Sequence, residues 1–318
     1  MSEAVSEAVA PGTPGGPVLV IGKGGQLSSA LAAQAGALPL VAVERPELDL
    51  ARPETVARAL ERVRPALVIN AAAYTAVDRA ESERDLAWAV NATGPGAVAA
   101  WCGAAGVPLI HVSTDYVFDG DKGAPYVETD PPCPTGVYGA SKLAGERAVQ
   151  AACPMSAILR TAWVYAPAGR NFLLTMLAAR KKTDTLRVVA DQIGCPTAAA
   201  DLAAAILAIV RRIRAGGWQA RYAGIFHATG HGATSWHGFA TAIFAEAARF
   251  GVPPPAIVPI ATADWPTPVR RPPDSRLDCS RLADVFGITF PEWQATLSKT
   301  IETVLAGQKR NPSPMPSP

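Results

Sequence analysis

The chain has 318 residues, 49% of them apolar, and its 29 basic and 27 acidic side chains leave a net charge of +2. That length suits one large α/β domain or two unequal ones with a substantial core. A near-neutral chain without a basic stripe gives no support for nucleic-acid binding, and no uncharged apolar run nears the ~20 residues of a membrane span.

The five cysteines, Cys102, Cys133, Cys153, Cys195 and Cys279, are odd in number, scattered and form no C-x-x-C pair. Reduced thiols in a cytoplasmic protein are therefore expected, not a disulfide framework or a zinc site. Residues 1–17 carry acids and no basic stretch, so they read as a disordered N-terminal tail and not as a signal peptide. Residues 306–318, rich in Pro and Ser, read as a second disordered tail.

Val18-Leu-Val-Ile-Gly22 is a short apolar run stopped by glycine, the pattern of a buried strand. Gly22-Lys-Gly-Gly25-Gln26-Leu27-Ser28 follows and leads into an alanine-rich helix. A glycine turn between strand and helix exposes backbone N–H groups at a helix N-terminus, a ready site for a dinucleotide pyrophosphate. The spacing is G-x-x-G-x-x-S, so the third glycine is missing, and Ser28 is expected to loosen helix–strand packing while leaving the phosphate-contacting turn intact. A tight turn without a ligand is the plain alternative.

Leu38 to Val43 reads as the second strand and ends at Glu44-Arg45. An acid here, ~20 residues past the glycines, suits the ribose hydroxyls of NAD. Arg45 beside it suits the extra phosphate of NADP, and the sequence leaves both open. Asp49-Leu50 follows, with Asp49 placed either near the adenine or at the cap of the next helix. Pro53 to Arg64 has helical spacing, and Ala66 to Asn70 is a third strand. Ala71 to Thr75 is made of small residues, ending in Tyr74 and Thr75, where backbone must approach a flat ring. Asp78 to Ala89 looks helical and exposed, and Asn91 begins a further helix to Ala105, with a cap and a catalytic role equally open to it.

Pro108 to Thr114 reads as a strand ending in two hydroxyl residues, and strand ends in open α/β sheets are where ligands bind. A cap or turn role for Thr114 is the plainer alternative. Residues 119–134 form a polar, proline-rich loop expected to lie over the site as a flap. Tyr138-Gly-Ala-Ser-Lys142 then opens a helix to about Ala152. Its i,i+4 spacing puts phenol and ammonium on one helical face, and the positive charge is expected to lower the tyrosine pKa toward neutrality. Such a group can give a proton to a carbonyl oxygen under reduction. Ser156 to Tyr165 reads as the next strand. Alternation from 18 to 165 predicts a doubly wound parallel sheet, a Rossmann-type domain.

Beyond 165 the alternation breaks. A helix is expected over 171–182, a strand over 186–190, an apolar helix to Arg214, a strand over 224–230 and a helix over 235–250. Residues 253–281 read as irregular, and 291–305 as a last helix. Residues 166–305 are taken as a smaller substrate-binding lobe, interleaved with the last sheet elements.

The blocks Gly22-Lys-Gly-Gly25-Gln26, Asn70-Ala-Ala-Ala-Tyr-Thr-Ala-Val-Asp78, Ser113-Thr-Asp-Tyr-Val-Phe-Asp-Gly120, Val137-Tyr-Gly-Ala-Ser-Lys-Leu-Ala-Gly-Glu146, Arg160-Thr-Ala-Trp-Val-Tyr165 and Arg271-Pro-Pro-Asp-Ser-Arg-Leu277 run in one order. In them the sequence resembles the dTDP-4-dehydrorhamnose reductases, extended members of the short-chain dehydrogenase/reductase superfamily. The resemblance implies NADPH or NADH as cofactor and a dTDP-sugar as substrate. It implies that Gly25, Gln26 and Leu27 hold the pyrophosphate, with Gly22 opening the turn. Glu44, Asp49 and Leu50 would line the adenosine end, and Ala73, Tyr74 and Thr75 would flank the cofactor. Thr114, Tyr138 and Lys142 would be catalytic, Tyr138 and Lys142 would also touch the cofactor, with Lys142 on the nicotinamide ribose hydroxyls, Asp115 and Trp163 would contact the deoxysugar, and Arg271 would meet the diphosphate, where a guanidinium suits two anionic oxygens. A core tryptophan and a solvated surface arginine are the competing readings of Trp163 and Arg271. Mg2+ binding at a dimer contact occurs in some members, but Ala198-Ala-Ala200 offers no acid for it; monomer and homodimer both stay open. Two further readings are reduction of another dTDP-4-keto-6-deoxysugar, and a non-catalytic regulatory subunit like that of methionine adenosyltransferase.

Overall fold

Short apolar runs of the first half become, in the computed structural model, parallel strands of one sheet. The structure describes residues 15–310, so the expected tails lie largely outside it. In chain order the first half comprises β1 (Val18–Ile21), α1 (Gln26–Gln34), β2 (Leu40–Val43), α2 (Pro53–Val63), β3 (Leu67–Asn70), α3 (Arg84–Trp88), α4 (Gly94–Ala105), β4 (Leu109–Thr114), α5 (Val137–Ala152) and β5 (Ser156–Thr161). The second half adds β6 (Val164–Tyr165), α6 (Phe172–Arg180), β7 (Thr185–Val189), β8 (Ile193–Gly194), β9 (Thr197–Ala198), α7 (Ala199–Gly216), β10 (Gly224–His227), β11 (Thr234–Ser235), α8 (Trp236–Ala248), β12 (Ala256–Ile260), α9 (Ser280–Phe286) and α10 (Trp293–Arg310).

The main sheet has the order β10-β5-β4-β3-β1-β2, all parallel. Strands buried on both faces need apolar residues throughout, as Val18-Leu-Val-Ile21 supplies. One face is packed by α1 and α7, through Leu27, Leu31, Ile206 and Val210. The other is packed by α2 and α4, through Val56, Leu60, Val98 and Cys102. Fully burying each such aliphatic side chain contributes about 1.5–3 kcal/mol. The chain leaves β1 to one side for β2 and returns on the other side for β3. This reversal opens a crevice at the carboxyl ends of β1 and β3, where such sheets bind ligands.

Several expectations change in the second half. The run Ser156–Tyr165 is two strands, not one: Trp163 stands at φ 47° and turns the chain, so β6 leaves the main sheet and pairs with β9. β10 crosses back to complete the main sheet beside β5. Residues 253–281, read as irregular, contain β12, which pairs in parallel with β7 over five residues. The helices α6, α8 and α10 enclose a separate core around Leu173, Phe239, Ile243 and Leu297, and α10 runs on to Arg310. Among the described residues no helix is long and apolar enough to cross a membrane.

Candidate active site

A cleft of about 800 Å³ runs along the carboxyl ends of the strands, within the ~300–1,000 Å³ usual for small-molecule sites. Its floor begins at Gly22, where φ is 103°. A side chain there would be strained, and its Cβ would lie 3.5 Å from Ala72. Gly25 caps α1 without any side chain to satisfy the first-turn N–H groups, which leaves them to an anion. Gln26 and Leu27 line the cleft beside it. Ser28 leaves this turn intact, as expected. Its buried hydroxyl has the Lys23 and Gly25 carbonyls as acceptors, at 2.9 and 3.1 Å, and braces the loop from within.

Glu44, Arg45, Asp49 and Leu50 line the far end of the cleft. Asp49 also accepts the Ala51 N–H at 3.0 Å, so it serves the turn before α2. Ala73, Tyr74 and Thr75 form one wall. They are held by Asn91, for which the sequence left a helix cap and a catalytic role open. Asn91 stands instead within a π-helical turn, Ala89–Thr93, that runs directly into α4, and it is fully buried. Its Oδ1 accepts the Tyr74 N–H at 2.8 Å, and its Nδ2 donates to the Tyr74 carbonyl at 3.0 Å and to Ser141 Oγ at 3.1 Å. The signal available beforehand was a lone amide amid small and apolar residues. Likewise 78–89 is no continuous exposed helix, since Ala80 and Ala87 are fully buried in a short 3₁₀ turn and in α3.

At the near end, Thr114 closes β4, while Tyr138 and Lys142 stand one turn apart on α5; all three line the cleft and are buried. Thr114 Oγ1 donates to Asp115 Oδ1 at 3.0 Å and accepts the Tyr116 N–H at 3.2 Å. Asp115 Oδ2 is buried with no hydrogen-bond partner, and burial pushes this carboxyl up to about 6 against hydrogen bonds from Ser275 and Thr114. A buried orphan acceptor at a cleft wall suits a hydroxyl-bearing ligand.

The expected lowering of the Tyr138 pKa does not hold. Burial pushes the phenol well above its usual value, Asp115 and Tyr116 push the same way, and only the Thr114 hydroxyl opposes. Lys142 gives no relief: its Nζ donates to the Val112 carbonyl at 2.7 Å. Burial pushes Lys142 itself down to about 8, and the Glu146 carboxylate holds it up in part. Desolvation outweighs the single charge that the i,i+4 spacing brought to mind.

Trp163 lines the cleft. Its ring stacks on Trp236 with centroids 3.4 Å apart and planes within 4°. A Cβ on Gly194 would come within 2.4 Å of the indole, so glycine is required under that ring. Arg271 does not reach the cleft wall. Its guanidinium donates to both Asp78 oxygens at 2.7 Å and stands over the Tyr116 ring, which meets Tyr138 edge-on. The loop 119–134 is no flap over the cleft either. Tyr126 stacks on Phe118 and pairs with Leu277, and Glu128 accepts the His227 N–H at 2.8 Å, fastening the loop to the end of β10. Among the described residues no three acidic, His or Cys groups are placed to hold a metal.

An anion-ready turn, a long cleft and a phenol–ammonium–alcohol cluster together suit a dinucleotide with a carbonyl compound beside it. Comparison with known proteins agrees with this. The family model described as the RmlD substrate binding domain matches residues 16–306. The dTDP-4-dehydrorhamnose reductase of Sinorhizobium fredii is 45% identical over 287 residues, 90% of this chain and 97% of that protein. The one of Mycobacterium tuberculosis is 41% identical over 292 residues, 89% of this chain and 92% of that protein. The crystal structure of the Clostridium acetobutylicum dTDP-4-dehydrorhamnose reductase superposes with a TM-score of 0.83 at 36% identity, covering 90% of this chain and 98% of that one. The Bacillus anthracis enzyme, solved in complex with NADP, gives 0.82 at 33% identity with the same coverage. Matched along nearly its whole length at this level of identity, the chain belongs to the dTDP-4-dehydrorhamnose reductase family.

Proposed function

We propose that the protein reduces the C4 ketone of dTDP-4-dehydro-L-rhamnose to give dTDP-L-rhamnose, using NADPH or NADH, with Tyr138 as proton donor. The observation that carries this is the meeting of Thr114, Tyr138 and Lys142 at one end of a cleft whose other end is the glycine turn. The nicotinamide, when bound, supplies the hydride. Gly22 to Leu27 hold the pyrophosphate, and Ala73 to Thr75, tied by Asn91, form the wall along it. Glu44 suits the ribose hydroxyls of NADH and Arg45 the added phosphate of NADPH, so the cleft accepts both. Thr114 orients the C4 oxygen by turning its one hydroxyl proton from Asp115 to it. Tyr138, held protonated through neutral pH by burial, is in the form that can give its proton to that oxygen. The Lys142 ammonium, four residues on, binds the ribose hydroxyls of the nicotinamide and so fixes the ring beside that oxygen. Asp115 and Trp163 face the deoxysugar. Arg271 reaches the diphosphate only by leaving Asp78.

Tyr138→Phe removes the proton and little else. Turnover should fall roughly 10²–10⁴-fold with NADPH affinity unchanged. Wild-type turnover in that variant would show that the proton comes from elsewhere. NMR of the product from enzymatically made dTDP-4-dehydro-L-rhamnose separates this reading from reduction of another dTDP-4-keto-6-deoxysugar. Failure of the wild-type protein to oxidise NADPH or NADH would favour a regulatory subunit.

A further inference from the structure

Tyr138, Lys142 and Glu146 recur every four residues and share one face of α5. The third of them has no part in the chemistry above, yet it is 1% exposed. Its carboxylate is bonded to both strands that face the helix. Oε1 accepts Arg160 Nε at 2.9 Å and Oε2 accepts Arg160 Nη2 at 2.7 Å, from β5. Oε1 also accepts the Ser113 hydroxyl at 2.5 Å, from β4. Ser113 immediately precedes Thr114, and Val112 before it carries the carbonyl that receives Lys142. Arg160 is likewise 1% exposed, packs over Phe118 at 5.0 Å, and leaves Nη1 buried without a partner.

An apolar pair of the same volume would hold the helix to the sheet as well or better, because desolvating two charges costs about as much as their attraction returns. A buried pair with one guanidinium nitrogen unmatched is thus a poor device for stability alone. We propose that Glu146 is a positioning residue for the reduction: with Arg160 and Ser113 it sets α5, and with it Tyr138 and Lys142, against the end of β4. The inference rests on the reductase reading above.

The charged and titratable groups around Lys142 are few. β4 contributes His111 and Asp115, α5 contributes Tyr138 and Glu146, β5 contributes Arg160, and Glu81 accepts the Val137 N–H at the helix start. Burial, helped by the Lys142 charge, holds His111 well below its ordinary range, so it is neutral. Asp115 acts on Tyr138. Glu146 is the carboxylate that acts on Lys142 and favours its protonated form.

The test is the pH dependence of kcat at saturating NADPH and dTDP-4-dehydro-L-rhamnose, measured beside thermal unfolding, for wild type, Glu146→Gln and Glu146→Gln/Arg160→Met. The double variant leaves no unpaired buried cation and guards against simple misfolding. In wild type, turnover should fall on the alkaline side as Lys142 loses its proton. In both variants that fall should move to lower pH by about one unit or more, whatever the change in melting temperature. A folded double variant whose alkaline limb coincides with that of active wild type overturns the proposal and leaves the reductase reading standing. A wild-type protein that oxidises no NADPH overturns both.

Discussion

Asn91→Ala tests whether the cofactor wall depends on one buried amide. The substitution removes three hydrogen bonds, two of them to the backbone of Tyr74. A buried polar group left without a partner costs about 1–3 kcal/mol. Tyr74 is only half-buried, so water can reach part of what is exposed, and the lower half of that range for each of two groups gives about 2–4 kcal/mol. The loss falls on the segment 73–75, because the apolar packing of α4 through Val98 and Cys102 is untouched. If about 2 kcal/mol appears as loop freedom, NADPH binding weakens by up to about 30-fold. Urea unfolding gives the first quantity and quenching of protein fluorescence by NADPH the second. Asn91→Asp keeps an acceptor for the Tyr74 N–H but loses both donations, so it should fall between wild type and alanine in NADPH affinity. Wild-type affinity in the alanine variant, with stability reduced as expected, would refute the link between this amide and the wall.

Lys142 carries a stability cost that depends on pH. Its pKa falls from 10.5 to about 8 in the folded protein, so between those values the unfolded chain binds the extra proton, and this group's contribution rises as pH rises. Below about 8 the full cost applies, about 3 kcal/mol. Lys142→Met should therefore unfold at an equal or higher temperature than wild type at pH 7, with the difference shrinking from pH 8 upward and turnover abolished. A variant less stable than wild type at pH 7 whose deficit stays the same or shrinks toward pH 10 would contradict this. For Arg271→Ala, the lost ion pair is partly exposed, 18% and 43% for its two side chains, and so is worth about 0–1 kcal/mol. A raised KM for the sugar nucleotide with unchanged NADPH affinity is expected; an unchanged KM would remove Arg271 from the diphosphate site.

What could be read from the sequence was what depends on near neighbours. A glycine-stopped apolar run and a Tyr–Lys pair at i,i+4 are local patterns with local causes, and the structure brings both to one cleft. What could not be read depends on partners far along the chain. Asn91 meets Tyr74 across 17 residues and Ser141 across 50. β12 is strand only because β7 lies beside it, in a stretch whose prolines mark it as irregular. The break after Thr161 comes from a backbone angle at Trp163 that its residue type disfavours, fixed by stacking on Trp236 and by the bare backbone of Gly194.

The pKa expectation failed for a related reason, and the failure bears on mechanism. Sequence spacing can show that a charge stands near a phenol, but burial depends on the whole fold. Here burial raises Tyr138 and Asp115 and lowers Lys142. Each group is thereby pushed toward its neutral form, the direction that desolvation always favours. Charge must therefore be returned to the site by specific partners: Glu146 for Lys142, and hydrogen bonds from Thr114 and Ser275 for Asp115. A ketone reduced in such a place meets a phenol that is fully protonated beforehand and an ammonium that is costly to keep. On the proposed mechanism, the residues that maintain that ammonium then bear on the rate without touching the substrate.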